Sequence, residues 1–426
     1  MTHEVAWRQA REQLHDVGST DILVGIPTFN DAKTVEHVVK TAVEGVSRSF
    51  PHASVVVVNA DAGSQDGTPE AIKQVVGEAI PTVSVQHLAG GMTANPFTLH
   101  RLSETGVPGR EQAFQAVFTI AAELGSKACV ILDANVRSIR AEWMELLLQP
   151  VLEKKADLVA PLYCRPRYEG SLTNSVVYPL SRALYGKQLR WQTGGGYGFS
   201  GELVGVYLAK DLWGGEAARP WIDSWLATVA VAEGCDVWQA SLGAKIQDSK
   251  QSGGELAVVL AQTVGAVFHF MEVYQDVWES VGASTPVPMT GPAYEPSTET
   301  MPMNIERMIH GFRQGVRDLL PIWEIILSPE TLAGVLALGL VEEEEFHFPV
   351  SLWVQTVYDC AVAFRAKVLH REHLLKSLAP LYLGRTASFV LETRDGRPED
   401  VEDAVETLCG TFESMKPYLI ERWRFQ

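Results

Sequence analysis

The stretch Lys127–Ser138, KACVILDANVRS, constrains this 426-residue chain more than any other. Cys129–Leu132 is a short apolar run with β-branched residues and no Gly or Pro, the pattern of a strand buried on both faces. It ends in Asp133-Ala134-Asn135. Alternation along an extended chain puts Asp133 and Asn135 on one side. In an open α/β sheet, ligands bind outside the carboxyl ends of the strands. A carboxylate and an amide there can hold a hard cation. The plainer reading is a strand running into a polar turn, since Asp and Asn are favoured turn residues.

The rest of the first half repeats the strand-then-helix pattern. Asp21–Pro27, Ser54–Val58, Thr82–His87, Leu158–Tyr163 and Val237–Leu242 read as further buried strands. Apolar positions at helical spacing predict helices after residue 34, from about Thr68, and over Glu111–Leu124, Glu142–Glu153 and Trp221–Ala232. Such alternation predicts a mostly parallel α/β sheet with right-handed crossovers. Ala89–Gly109 is a long loop of the kind that is functional or mobile. Gly194-Gly195-Gly196-Tyr197-Gly198 implies backbone near a ligand, or tight turns. From Glu255 the texture is that of long amphipathic helices, whose aromatics Phe348, Trp353, Tyr358 and Phe364 read as packing residues. The expected division is a helix over 1–20, an α/β domain over 21–254, and a helical region over 255–426 with a Pro-rich excursion at 281–303.

Charge and cysteine content narrow the function classes. Asp and Glu number 52 against 35 Lys and Arg, a net charge of −17, which argues against a general nucleic-acid binder. Five scattered cysteines without a CxxC pair suggest reduced thiols in a cytoplasm. The charged, amphipathic N-terminus does not read as a signal peptide. No uninterrupted apolar span reads as long enough to cross a bilayer. Whether the chain forms a homo-oligomer is left open.

The order IPTFND, NADAGSQDGT and DAN resembles the opening of family 2-like glycosyltransferases of the GT-A fold. VPGREQAF, LVAPLYCRPRYEG, GGGYGFSGEL, WIDSWLATVAVAEG and LGAKIQDSK extend the likeness. The chain looks like the retaining branch that holds mannosylglycerate, glucosylglycerate and glucosyl-3-phosphoglycerate synthases, makers of compatible solutes among other products. The resemblance implies a nucleotide-diphosphate sugar as donor, a divalent cation (Mg²⁺ or Mn²⁺) and a small anionic acceptor such as glycerate or phosphoglycerate.

On that resemblance Pro27, Thr28, Asn30, Asp61, Ala134 and Gly195 line the nucleotide pocket. Arg110 takes the place of a diphosphate-binding Lys, a role a guanidinium can fill. Asp133 and Asp223 act beside Arg110 in catalysis, Asp223 at the donor sugar. Asp133, Asn135, Gln247 and Asp248 are the implied metal positions. Arg165, Arg167, Thr173 and Asn174 form the implied acceptor side, and Gly196 stands where the family carries an acidic residue. Three positions depart from the family together: Asn135 for Asp, Gly196 for Asp or Glu, and Gln247 for His. An enzyme is the leading expectation; a catalytically weak or inert nucleotide- or sugar-binding protein on the same scaffold is the alternative, because fold alone does not decide.

Overall fold

The computed structural model describes residues 11–15, 17–77, 80–86, 107, 109–190, 194–210, 213, 222–247 and 256–425. Residues 11–15 are helical; most of the expected N-terminal helix and of the Ala89–Gly109 loop lies outside the described residues. The chain divides into two units: residues 1–164, 191–253 and 287–294, and residues 165–190, 254–286 and 295–426. They interleave along the sequence, which differs from the expected single cut after residue 254.

The first unit is built on one eight-stranded sheet. Its strands are β1 (Ile22–Thr28), β2 (Val55–Asp61), β3 (Thr82–Gln86), β4 (Ala128–Leu132), β5 (Leu158–Cys164), β6 (Gly196–Ser200), β7 (Val237–Ala244) and β8 (Met289–Thr290). The spatial order is β8-β7-β5-β6-β4-β1-β2-β3. All pairings are parallel except those of β6, which runs antiparallel between β4 and β5. The expected fold class, a mostly parallel α/β sheet followed by a helical region, is present. β4 is buried along its whole length between β1 and β6. Part of the Pro-rich excursion supplies β8, pinned by Thr290 Oγ1 donating to Leu146 O at 3.0 Å.

Helices cover both faces. α1 (Val35–Ser49), α2 (Thr68–Val76) and α4 (Glu142–Leu152) close a core of Val24, Ile26, Val57, Leu132, Trp143 and Leu147. α3 (Arg110–Glu123), α5 (Gly201–Leu208) and α6 (Ile222–Ala232) carry an aromatic layer. There Phe118 stacks on Tyr207 at 5.5 Å, and Trp225 meets Trp213 edge-on at 4.7 Å. The entry to β1 is tied to β2 and β4 through Asp21. Its carboxylate accepts from Ser54 N and Oγ and pairs with Lys127 Nζ at 2.8 Å. The Lys127 hydrogen bond, followed by those from Ser54, pulls Asp21 down to about 2. A depressed carboxylate contributes stability above its unfolded pKa and loses it as pH falls through the folded one. Part of the acid sensitivity between pH 4 and pH 2 therefore comes from Asp21. Asp21→Asn is expected to flatten the stability–pH curve in that window, as read by urea unfolding; an unchanged slope would refute it.

Among its described residues the second unit is mainly helical, with a two-residue ladder between Lys187–Gln188 and Thr285–Pro286 and a bridge between Arg167 and Thr300. Its helices include Tyr178–Tyr185, Ile305–Asp318, Val350–Ala366, Arg371–Thr393, Pro398–Ser414 and Lys416–Phe425. The helix Leu256–Val273 is apolar but not uninterrupted, since it carries Gln262, His269 and Glu272. It is 18 residues long and apolar enough to cross a membrane by length and composition. Half of it is buried within the protein, where Phe268 packs edge-on against Phe364.

Candidate functional site

Two loops leave the carboxyl ends of β1 and β2 and are laced together. The Thr28 hydroxyl lies 2.7 Å from Asn59 Oδ1 and 2.9 Å from Asp61 Oδ1. Asp61 Oδ2 accepts from Gly63 N and Ser64 N, and its Oδ1 accepts from Ser64 Oγ. Asn30 holds a left-handed φ of 54°; its N–H donates to Ser64 Oγ and its Oδ1 accepts from Gln65 N. Asp31 N donates to Thr68 Oγ1, and Asp66 Oδ2 accepts from Ala32 N. The motif residues Pro27, Thr28, Asn30 and Asp61 thus meet in one place. Asp61 spends its oxygens on shaping the loop, while Asn30 is exposed at the rim. Asn59, Asp31 and Asp66 belong to the same lattice and were not singled out in the sequence.

The carboxyl end of β4 carries a buried charge cluster. Arg110, the first residue of α3, is 2% exposed. Its Nη1 donates to Asp133 Oδ1 at 2.6 Å and its Nη2 to Asp223 Oδ1 at 3.1 Å. A cation at a helix N-terminus opposes the helix dipole, and the two carboxylates offset that cost. Asp133 Oδ2 accepts from Gly195 N at 2.5 Å, while Asp133 N donates to Gly195 O at 3.0 Å. Lys245, just past β7, places Nζ 5.5 Å from the centre of the Tyr163 ring. Tyr163 in turn abuts Gly195: a Cβ there, at φ +100°, would fall 1.8 Å from the Tyr163 hydroxyl oxygen. Lys245, Tyr163 and buried Tyr197 went unnoticed as site residues, although Lys245 stands in the quoted Lys245-Ile246-Gln247-Asp248 run.

The two carboxylates are driven apart. Burial pushes Asp133 up, but the charges of Arg110 and Lys245 and the Gly195 N–H outweigh it and hold Asp133 below the ordinary range. Burial dominates at Asp223 and leaves it above that range despite Arg110. Burial also raises the Tyr197 phenol. Opposed shifts in neighbouring carboxyls mark sites able to divide charge and proton between two groups.

For a divalent cation the donors are Asp133, Asn135 and Gln247, with Asp248 outside the described residues. A bridge between Val136 and Gln247 and the Arg137 N–H donating to Ile246 O bring the β4 and β7 exits together. Gln247 Oε1 is buried without a hydrogen-bond partner among the described residues, an orphan that a cation would satisfy. The set fits a hard cation weakly, with one carboxylate and two neutral oxygens. No cluster of three or more His, Cys, Asp or Glu suited to a metal occurs among the described residues.

Gly196 corrects one expectation. A Cβ at Gly196 would point at Leu132 Cδ2 and Leu147 Cδ1, each 3.1 Å away, and toward Trp143. Its side-chain direction is the apolar core, not the charge cluster, so it does not stand in for an acidic site residue. Gly198 explains the glycine density: a Cβ there would meet Leu147 O at 2.2 Å. These glycines let α4 lie directly on β6, whereas Gly195 approaches the cluster.

Arg165, Arg167, Thr173 and Asn174 lie in the second unit. Arg165 pairs with Glu169 at 3.2 Å, and Arg167 Nη1 donates to Gly396 O. Thr173 opens a π-helical turn over Thr173–Val177, and Asn174 Oδ1 accepts from Arg190 Nε and Nη2.

No protein-family model matches the chain, and no curated protein matches it. Among solved structures it is similar to glucosyl-3-phosphoglycerate synthase from Mycobacterium tuberculosis. With Mn²⁺, uridine diphosphate and glucosyl-3-phosphoglycerate bound there, identity is 18% over 62% of this chain and 84% of that one, with a TM-score of 0.40. With Mg²⁺ and uridine diphosphate the values are 17%, 62%, 83% and 0.41. A further mycobacterial protein gives 18%, 62%, 78% and 0.40. Likeness at this level lends no weight to an assignment of activity.

Proposed function

We propose that the protein is a GT-A-type retaining glycosyltransferase that moves a hexose from a nucleotide-diphosphate sugar to a small anionic acceptor such as glycerate or phosphoglycerate. The observation that carries this reading is the laced β1 and β2 loops on the same sheet edge as the Arg110–Asp133–Asp223 cluster. Carboxyl-end loops of a parallel sheet are where such folds take nucleotides. On this reading Thr28, Asn30 and Asp61 shape the base and ribose pocket. Arg110 stabilises negative charge developing on the departing diphosphate, and Asp133 and Asp223 fix the guanidinium in position. Asp133, Asn135 and Gln247 would hold a divalent cation, which when bound would add to that charge neutralisation. Arg165 is assigned to the acceptor anion on the sequence resemblance alone.

The second reading is a nucleotide- or sugar-binding protein without appreciable turnover. The commitment of both Asp133 oxygens to Arg110 and Gly195 favours it. Calorimetry with UDP-glucose and GDP-mannose, followed by turnover with glycerate and 3-phosphoglycerate, separates the readings. Transfer with retained anomeric configuration is the expected result. Tight binding without turnover supports the second reading, and no binding of either nucleotide sugar, with or without Mn²⁺, overturns both.

A further inference from the structure

We propose that Lys245, backed by Arg110, supplies resident positive charge for a nucleotide diphosphate, so that nucleotide affinity in this protein depends little on added divalent cation. The inference rests on the nucleotide reading of the site given above.

The argument is one of charge placement. Two carboxylates, Asp133 and Asp223, face two cations, Arg110 and Lys245, in one cluster. Asn135, two residues past Asp133, adds no charge to these four groups. A carboxylate there would leave the cluster net negative, repelling a diphosphate until a dication arrived. The two cations also differ in access. Arg110 is 2% exposed, whereas Lys245 is half-buried. Lys245 follows the last residue of β7, at the carboxyl end of the sheet, over the Tyr163 ring beside Gly195 and Asp133. Two resident cations oppose entry of a third positive charge, and the neutral oxygens of Asn135 and Gln247 attract it weakly. The substitution at 135 and the lysine at 245 are thus two halves of one electrostatic arrangement.

Calorimetric Kd values for UDP and GDP, taken in EDTA and in excess Mn²⁺, test this. For the unmodified protein the better of the two nucleotides should bind within about threefold in the two conditions. Lys245→Gln, at a half-buried position that should leave folding intact, should weaken binding in EDTA by about tenfold, the loss of one charge-assisted hydrogen bond, and Mn²⁺ should then recover it. Asn135→Asp should weaken binding in EDTA and tighten it in Mn²⁺. Thermal melting of each variant separates loss of fold from loss of charge. Nucleotide binding that collapses in EDTA in the unmodified protein, or a folded Lys245→Gln variant that binds as well as the parent, overturns the inference and leaves the proposed function standing. Failure of both nucleotides to bind in either condition overturns the two together.

Discussion

Replacing Arg110 by Met is expected to destabilise the protein by about 3–5 kcal/mol at neutral pH, the range for removing one partner of a buried ion pair. The guanidinium is almost fully buried and holds two carboxylates that are themselves buried. Without it, Asp133 and Asp223 would share a low-dielectric site with Lys245 still acting on both as an opposing charge. Asp223, already above the ordinary carboxylate range, would then be pushed further up. A raised carboxyl contributes stability below the unfolded pKa and loses it as pH rises through the folded one. The deficit of Arg110→Met should therefore be smaller near pH 4 than at pH 7. The triple change Arg110→Met, Asp133→Asn, Asp223→Asn should recover much of the loss, because the two buried carboxylates are then no longer left without the guanidinium. Urea unfolding at both pH values checks this. An Arg110→Met variant as stable as the parent at pH 7 would show that the cluster does not hold its charges as described.

Gly196→Asp is the second large effect. The family pattern makes this substitution a restoration; the structure makes it a core defect. The new carboxylate would enter the space bounded by Leu132, Leu147 and Trp143. An unpaired buried charge of this kind costs about 3–5 kcal/mol. Gly196→Ala, whose methyl meets the flexible ends of two leucines at 3.1 Å and the Trp143 ring at 3.8 Å, should cost about 1–2 kcal/mol. Chemical denaturation of both variants distinguishes overpacking from charge burial. A stable Gly196→Asp protein that also gained Mn²⁺ affinity would return residue 196 to the site.

The strands were legible where apolar runs are bounded by polar turns. Cys129–Leu132 was expected and Ala128–Leu132 is found; Leu158–Tyr163 was expected and Leu158–Cys164 is found. β6 was not legible. Gly196, Tyr197 and Gly198 show no alternation that a side-chain pattern can register, because two of the three residues lack side chains; their strand is made by neighbours on either side. β8 escaped because two residues at a sheet edge carry no periodicity. The site divides in the same way. Asn30 and Asp61 belong to short motifs with local turn chemistry and could be read directly. The Arg110 pairs span 23 and 113 residues, and only folding reveals that a helix-starting arginine meets both carboxylates. The direction of residue 196 is likewise a property of strand register, which motif spacing does not report.

The interleaving of the two units sets an order of events on the ribosome. Arg190 pairs with Glu402, which comes 212 residues later, and Arg182 with Glu406, 224 residues later. At about 5–20 residues per second, translation takes roughly 10–40 s to supply those carboxylates. The strands of the sheet are all synthesised by Thr290, well before then. The segment 165–190 therefore emerges, cationic and partly apolar, into a nascent chain whose matching helices do not yet exist. For that interval Arg182 and Arg190 lack the Glu406 and Glu402 carboxylates they pair with in the folded protein.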